Sequence, residues 1–414
     1  MSDPVGATWA GTHRFEAAGL VSARSVAEVQ EAVRTRTGRV RALGTRHSFN
    51  DVADTTGTLV SVLDVPPEPR LSADGDVVSV GAGIRYGELA IWLEQHGRAL
   101  HNMGSLPHIS VAGAVATGTH GSGDRLRLLA DAVRALEFVD ASGEVQRVDR
   151  DDARWGGFLV GLGAYGIVTR VDLDVEPSYR MRQQLHVGLG WDVLAGRFDE
   201  VTGAGTSVSL FTHWSAPAVE HVLVKQRVDA SFDASVLDAA REASAAERFD
   251  QTNWTPQDGS VGPWLTRLPH FRLEETPSFG DEIQSEHFVP RGHAPAALAA
   301  VRELAADIDP HLIITEIRTI AADETWLGPA SGRDTVAIHF TWMRHDDAVR
   351  ALLPRIEAAL HPFDVRPHWG KWNAFDAAGI AAAYPRLGDA RALYRELDPA
   401  GVFGNAYLER LGVR

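Results

Sequence analysis

The 414-residue sequence contains no cysteine. That absence excludes disulfides, thiolate-bound metals, iron–sulfur clusters and cysteine nucleophiles. The sequence also lacks an apolar run of about 18 residues, the length needed to span a bilayer. Its N-terminus lacks the basic and apolar stretches of a signal peptide. We therefore predict a cytoplasmic protein that is not bound to a membrane.

Positive charge is also scarce. The chain has 55 acidic and 40 basic residues, which gives a formal net charge of −15. An acidic surface repels phosphates, so we predict no nucleic-acid partner. Lysine occurs only at Lys225 and Lys371, and every other basic residue is arginine. A lysine kept against that bias is a candidate for a role that needs a compact ammonium with a tunable pKa.

Several catalytic signatures are missing, namely the P-loop, the G-x-S-x-G elbow and H-E-x-x-H. Gly161, Gly163 and Gly166 do form a G-x-G-x-x-G pattern. The dinucleotide fingerprint must open a helix, whereas the IVTRVDLDV that follows alternates like a strand. We therefore reject a Rossmann site, and we predict no metal site.

The length and the 44% hydrophobic content predict two domains. Up to about residue 175, short strands at 40–43 and 77–80 and a hairpin at 133–148 alternate with helices, the first opened by the capping box Ser25 to Glu28. Beyond 176, longer alternating segments predict an antiparallel sheet. These segments are 208–214, 221–228, 311–320 and 334–342. We interpret 229–281 as an inserted helix with loops, and the chain past 375 as helical again. The predicted fold class is α+β.

Two glycine-led segments are candidates for binding. In SVAGAVATGTHGSG, residues 110–123, small side chains would let backbone N–H groups approach an anion. A tight buried crossover between strands explains the same composition, and His120 within it has the typical pattern of a hydrogen-bonded core histidine. The segment LGTRHSFN presents His47, which by itself indicates only a structural or solvated side chain.

Polar residues two apart on predicted strands share a face. Glu316 and Arg318 form one such pair, and His339 and Thr341 form another, so matched pairing would bring the four groups together. The alternative is a solvated face carrying a weak surface ion pair. Lys371 lies in an aromatic setting, HWGKW, whereas Lys225 and Arg227 lie on a strand that we predict to be solvated.

Taken together and in order, eight segments resemble the alditol oxidases (xylitol and sorbitol oxidases) of the vanillyl-alcohol-oxidase type of flavoproteins. The segments are LGTRHSFN, HNMGSLPHISVAGAVATGTHGSG, GLGAYGIVT, IQSEHF, TEIRT, HFTW, RPHWGK and DPAGVFGNAY. The resemblance covers nearly the whole chain. It implies a two-domain fold, with an FAD-binding domain at 1–175, an antiparallel substrate or cap domain at 176–375, and a segment at 376–414 that returns to the FAD domain.

The resemblance also implies a cofactor site. His47 is expected to be joined covalently to the flavin, which reverses the interpretation of that residue taken alone. The residues implied to contact FAD are Leu43, Gly44, Thr45, Arg46, His47, Ser48, Ser105, Ser110, Gly113, Ala114, Val115, Ala116, Thr117, Gly118, His120 and Val168.

The implied reaction is hydride transfer from C1 of a polyol to flavin N5, followed by reduction of O₂ to H₂O₂. The residues implied to contact the polyol are Ser105, Gln284, Glu316, Arg318, Thr341 and Lys371. We expect Lys371 and Arg318 to stabilise the developing alkoxide and Glu316 to accept from a hydroxyl and fix Arg318. Either His339 or Lys371 then takes the proton.

Gly104 departs from relatives that carry alanine at this position. An alanine Cβ would cover the flavin edge, so glycine favours an oxidase that admits O₂. Some relatives have a small residue where this chain has Arg46, and we assign Arg46 no role. An aldonolactone oxidase of the gulonolactone type, a flavin dehydrogenase with another acceptor, and a non-catalytic flavin- or carbohydrate-binding protein remain alternatives. The partners predicted are a small polyol and O₂, and the chain is predicted to be a monomer.

Overall fold

The computed structural model describes residues 5–250, 252–276 and 280–414. Its strands are β1 (Gly19–Ser22), β2 (Val40–Leu43), β3 (Thr58–Ser61), β4 (Arg70–Leu71), β5 (Val77–Gly81), β6 (Arg98–Ala99), β7 (Val133–Val139), β8 (Val145–Asp149), β9 (Ile167–Asp174), β10 (Glu176–Pro177), β11 (Arg180–Gly190), β12 (Ser207–Thr212), β13 (Ala218–Arg227), β14 (Arg241–Glu242), β15 (Asp258–Pro263), β16 (Ile283–Pro290), β17 (Leu312–Ile320), β18 (Thr335–Trp342) and β19 (Arg366–Pro367). Its α-helices are α1 (Val26–Arg34), α2 (Tyr86–Gln95), α3 (Val111–Thr117), α4 (Trp155–Phe158), α5 (Trp191–Gly196), α6 (Phe198–Thr202), α7 (Ala294–Arg302), α8 (Ala305–Ile308), α9 (Asp346–Leu360), α10 (Ala377–Ala383), α11 (Leu387–Leu397) and α12 (Ala406–Arg410). None of the helices in these ranges is long and apolar enough to cross a membrane.

The N-terminal part contains two larger sheets, and β6 pairs with β10 in a small two-stranded sheet. The first is parallel, in the order β1-β3-β2, and α1 packs on it through Val29 and Val33. The Ser25 side chain accepts the Glu28 N–H at 3.2 Å, so the predicted helix start is confirmed. The second sheet is antiparallel, in the order β4-β5-β9-β7-β8, and contains the predicted hairpin. Strand β9 follows the glycine pattern directly and alternates between buried and half-buried residues. The segment after the glycines is thus a strand and not the helix that a Rossmann site needs.

A nine-stranded sheet occupies the middle of the chain. Its order is β14-β11-β13-β12-β17-β18-β16-β19, with β15 paired to β11. Alternation along β18 sends Val336, Ile338 and Phe340 into a core shared with α6, α7 and α9. The opposite face carries His339 and Thr341 and faces the N-terminal part.

The C-terminal part packs back on the first sheet. The Val40 N–H donates to the Val402 carbonyl at 2.8 Å, and Arg41 donates to the Phe403 carbonyl at 2.7 Å. The Asn405 amide donates to the carbonyls of Asp51, Val52 and Asp54 at 3.3, 3.1 and 2.8 Å. Residues 402–405 therefore hold β2 and the loop that follows it.

Residues 111–117 of the glycine- and alanine-rich segment form helix α3, which contains Gly113 and is ended by Gly118 at φ +71°. One expectation about local structure is wrong. In the described part of 229–281 there is no α-helix, only 3₁₀ turns and the edge strands β14 and β15. Pro256, Pro263 and Pro269 each remove a backbone donor there, which opposes a helix.

The prediction that Lys225 is solvated is also wrong. Lys225 is 1% exposed, because β13 lies inside the sheet and the segment around His270 covers that face. Arg227, at the end of the same strand, is half-buried and pairs with Glu176 at 2.8 Å and Asp229 at 3.0 Å.

Candidate active site

A cavity of about 520 Å³ separates the N-terminal part from the nine-stranded sheet. One wall consists of residues 41–50 and 109–117. The other consists of polar side chains from β16, β17 and β18 together with Lys371. A cavity of this size with a charged wall suits a cofactor that lies against a small polar ligand.

Every residue predicted to contact the cofactor lines this cavity except Gly118, which ends α3. The His47 ring lies 5.1 Å from the Trp9 ring, between their centroids. Burial lowers the pKa of His47 to about 4, helped by the positive potential of His108 and Arg85. His47 is therefore a neutral imidazole at pH 7. Arg46 beside it adopts φ +64° and donates to the Val5 carbonyl at 2.7 Å.

Two glycines of the wall formed by residues 41–50 and 109–117 pack closely against Ser110. A Cβ at Gly44 would come within 2.7 Å of Ser110 Oγ, and a Cβ at Gly113 within 2.8 Å of the same atom. The Ser110 N–H donates to Thr45 Oγ1 at 3.2 Å and ties the two segments together. These small residues leave backbone groups open to the cavity, as a flavin nucleotide requires. The residues present therefore fit FAD.

Strand register builds the charged wall. Glu286 on β16, His339 on β18 and Glu316 on β17 lie directly opposite one another. Two residues along, Gln284 lies opposite Thr341, and Arg318 follows Glu316 on the same face. The structure thus brings together the pair Glu316 and Arg318 and the pair His339 and Thr341, as the alternation predicted, and all four residues are buried.

Glu286 is the centre of this cluster and is fully buried. Its Oε1 accepts from Arg318 at 2.5 Å, and its Oε2 accepts from Lys371 Nζ at 2.8 Å. His120 Nε2 lies 3.3 Å from Oε1. Burial raises the pKa of Glu286, but Lys371 and Arg318 outweigh it and hold that pKa well below the ordinary value. Glu286 is therefore an anion that sets the positions of two cations.

Lys371 is held in place by the loop that carries it. Asn50 Nδ2 donates to the carbonyls of Trp369 and Lys371, both at 2.9 Å, and the Trp372 indole donates to the Phe49 carbonyl at 2.7 Å. Burial lowers the pKa of Lys371, and Glu286 opposes that shift. An ammonium whose pKa lies closer to neutrality can exchange a proton.

His339 is engaged at both ring nitrogens. Lys371 Nζ lies 2.8 Å from Nδ1, and Thr341 Oγ1 lies 3.1 Å from Nε2. Burial, together with the charge of Lys371, lowers the pKa of His339 to about 4. The imidazole is neutral at pH 7, so Lys371 donates to Nδ1 and Nε2–H donates to Thr341.

Glu316 and Arg318 complete the wall. Arg318 Nη1 donates to Ser105 Oγ at 3.3 Å, and its Nε lies 3.6 Å from Glu316 Oε1. His270 Nε2 lies 2.7 Å from that same oxygen. Burial raises the pKa of Glu316, but Arg318 and His270 more than offset it, and the net shift is downward. The side chain is ionised.

Sequence reasoning missed Glu286 and His270. Glu286 could have been found, because it follows Gln284 by two residues on one strand and must share its face. His270 lies in an irregular segment after Pro269, where no periodicity predicts the direction of a side chain.

Comparison with known proteins identifies the family. An alditol oxidase from a Streptomyces species is 45% identical over 409 residues, covering 97% of this chain and 98% of that one. This chain belongs to the alditol oxidase family. Residues 17–149 of this family member match the FAD binding domain, and residues 281–411 match the D-arabinono-1,4-lactone oxidase family. It is an FAD-dependent oxidoreductase.

More distant relatives include an L-gulono-1,4-lactone dehydrogenase from Mycobacterium tuberculosis, 27% identical over 99% of both chains. The fold is that of a cholesterol oxidase from Brevibacterium sterolicum, with a TM-score of 0.80 and 14% identity over 98% of this chain and 96% of that one. Within the described residues of this alditol oxidase family member, no group of three or more His, Asp or Glu could hold a metal ion.

Proposed function

We propose that this protein oxidises the C1 hydroxyl of a sugar alcohol such as xylitol or sorbitol to the aldose, with O₂ as the electron acceptor. The observation that carries the proposal is the charged wall, where Arg318, Lys371 and Glu316 line the same cavity as the cofactor segments. The identity to an alditol oxidase supports it.

FAD is the cofactor, and residues 43–48 and 110–117 are proposed to hold it. When bound, FAD supplies the acceptor for the C1 hydride and returns the electrons to O₂ as H₂O₂. We assign the covalent attachment to His47, whose neutral imidazole offers a ring nitrogen with a free lone pair. The proposed FAD unit comprises 1–175 with 376–414, and 176–375 forms the substrate unit.

The polyol is proposed to lie along the charged wall. A chain of hydroxyls needs alternating donors and acceptors to fix its register. Arg318, Lys371 and Ser105 supply donors near the centre, and Glu316 supplies an ionised acceptor. Gln284 and Thr341 lie opposite each other at the next position along the strands and continue the row.

Lys371 is the proposed proton acceptor for the O1 hydroxyl. Both residues line the cavity, but the pKa of His339, about 4, makes it the weaker base, whereas burial lowers the pKa of Lys371 so that its neutral amine can take the proton. Lys371 Nζ contacts His339 Nδ1 at 2.8 Å. The two groups titrate as a pair. Arg318 then faces the developing alkoxide with a charge that Glu286 keeps in place.

Anaerobic mixing with xylitol, and separately with an aldonolactone, tests the proposal by the bleaching of the flavin absorption band. Bleaching by xylitol that air reverses is the expected result. The match of residues 281–411 to the lactone oxidase family makes lactone oxidation the second candidate. Bleaching by the lactone alone would select that candidate.

A further inference from the structure

Behind the charged wall, a buried row of three side chains leads away from the cavity. Lys225 Nζ donates to the Leu268 carbonyl and lies 2.9 Å from His270 Nδ1. His270 Nε2 lies 2.7 Å from Glu316 Oε1. The side chains of Lys225, His270 and Glu316 are 1, 4 and 6% exposed as residues, so the row is shielded from bulk water.

The direction of each hydrogen bond follows from chemistry. The ionised Glu316 can only accept, so Nε2 of the neutral His270 ring must carry the hydrogen, and Nδ1 carries the lone pair to which Lys225 donates. The carboxylate of Glu316 accepts that hydrogen. Among the described residues, both polar contacts of Glu316 with His270 and Arg318 use Oε1, which leaves Oε2 for a ligand in the cavity.

The ring of His270 is also held in orientation. It stacks on Trp254 at 5.3 Å between centroids with an interplanar angle of 15°. Its own backbone N–H donates to the Ser105 carbonyl at 3.0 Å. One residue thus connects Lys225 to two predicted substrate contacts, Glu316 and Ser105.

We propose that Lys225 is a positioning residue for the polyol: through His270 it fixes Glu316 as an ionised acceptor whose Oε2 receives a substrate hydroxyl. The proposal rests on the proposed sugar-alcohol oxidation and deepens it. It also explains why a lysine persists at 225 in a chain that otherwise uses arginine almost throughout, since an arginine fork would not fit an end-on contact with one ring nitrogen.

The charges around His270 support this role. They come from Lys225 on β13 and from Glu316 and Arg318 on β17. Burial and the charge of Lys225 lower the pKa of His270 to about 4, against the opposing effect of Glu316. Burial lowers the pKa of Lys225 itself to about 7. Removing Lys225 takes away the larger of the two positive charges that act on His270, leaves Glu316 and Arg318, and should raise the pKa of His270.

The first test reads His270 directly and needs no turnover. In holoenzyme labelled with ring-¹³C histidine, the His270 signal is assigned by its loss in His270→Gln. In the native chain we expect the ring to stay neutral between pH 5.5 and 8.5 and its signal to report only the titration of Lys225 near pH 7. In Lys225→Met we expect that step to disappear and the pKa of the His270 ring to be higher than in the native chain. A His270 titration curve that is the same in both proteins would overturn the proposal.

The second test measures binding, from the xylitol dependence of the anaerobic reduction rate. Lys225→Met should raise the dissociation constant about tenfold, the effect of losing one charge-assisted hydrogen bond, while the limiting rate stays within threefold. In a His270→Gln background the same substitution should change the constant less than twofold, because the effect passes through His270. If the two substitutions have additive effects on the free energy of xylitol binding, the proposed role of Lys225 is refuted.

Gln226→Leu is the control, because Gln226 follows Lys225 on β13, points to the other face of the sheet and donates to the Ala204 carbonyl at 2.7 Å. It removes a polar group of the same strand away from His270, and both readouts should stay native. Lys225→Gln is measured in parallel in case the methionine variant does not fold, and the same coupling to His270 is expected. If xylitol does not reduce the native enzyme, the proposed function fails. If xylitol does reduce it but the effects of Lys225 do not depend on His270, only the positioning role of Lys225 is refuted.

Discussion

Replacing Glu286 by glutamine tests how the charged wall works. Glutamine keeps the shape but offers one acceptor oxygen and one N–H₂ group, so it can hold Arg318 or Lys371 but not both. The native distances are 2.5 and 2.8 Å. A hydrogen bond to a charged group contributes about 1.5–3 kcal/mol, and the two cations also lose the anion between them.

We expect the loss of transition-state stabilisation to be about 3–4 kcal/mol, which corresponds to a 10²- to 10³-fold slower flavin reduction. The pH dependence should change as well. Glu286 raises the pKa of Lys371, so its removal lowers that pKa and shifts the acidic limb of the reduction profile to lower pH. The assay is anaerobic stopped-flow reduction by xylitol across pH 5.5 to 9.5.

Asp323→Asn provides the control, because Asp323 is also buried but bonds to Thr325 outside the cavity. It should leave the rate and the profile unchanged. A reduction rate for Glu286→Gln within threefold of the native value, or an acidic limb that moves to higher pH, would refute the reasoning.

Three further predictions follow from other parts of the cavity. A Cβ at Gly104 would lie 3.5 Å from Thr119 Cγ2, in ordinary contact, so Gly104→Ala should fold normally but slow flavin reoxidation by O₂ about tenfold or more, by steric exclusion. His47→Ala should release its flavin into the supernatant after acid precipitation, whereas the native chain should retain it. Arg41 donates to four carbonyls at 2.6–2.9 Å, so Arg41→Leu should lower the free energy of unfolding in urea by about 3–5 kcal/mol.

Each of these has a contrary outcome, and the Arg41 prediction has a control variant. Unchanged reoxidation in Gly104→Ala, with reduction also unchanged, would show that O₂ reaches the flavin by another route. Flavin released from the native chain would remove the covalent link to His47. For Arg41, the exposed Arg70→Leu should cost less than about 1 kcal/mol; an equal cost would mean that the carbonyl contacts of Arg41 contribute little.

Regular elements could be predicted from the sequence because their signals are local. Ser25 caps α1, and the alternation along β17 and β18 was sufficient to place Glu316, Arg318, His339 and Thr341 on single faces. The same spacing applied to β16 would have added Glu286. What alternation cannot give is what covers each face. Both faces of β18 are buried: one packs on α6, α7 and α9, and the other lies against the N-terminal part, which is distant in the chain.

The environment of Lys225 shows the limit most clearly. Its strand reads HVLVKQRV, in which alternation places Lys225 with His221 and Leu223 and suggests a solvated face. The residue is buried because the irregular segment around His270 covers it, and that segment has no periodic signal. The contact between β13 and the segment around His270 forms only in the tertiary structure. The sequence of β13 alone therefore cannot predict the acceptor that pairs with the buried lysine.

The return of the chain at residues 402–410 has a consequence for biosynthesis. Val402, Phe403 and Asn405 hold β2 and the 51–54 loop, and Arg410 pairs with Asp51 at 2.9 Å. A ribosome releases residues 17–149, the part that matches the FAD binding domain, long before it releases these contacts. The nascent chain therefore cannot close the wall beside His47 until residues 402–410 have left the ribosome, and we expect the flavin to load only once those residues are available.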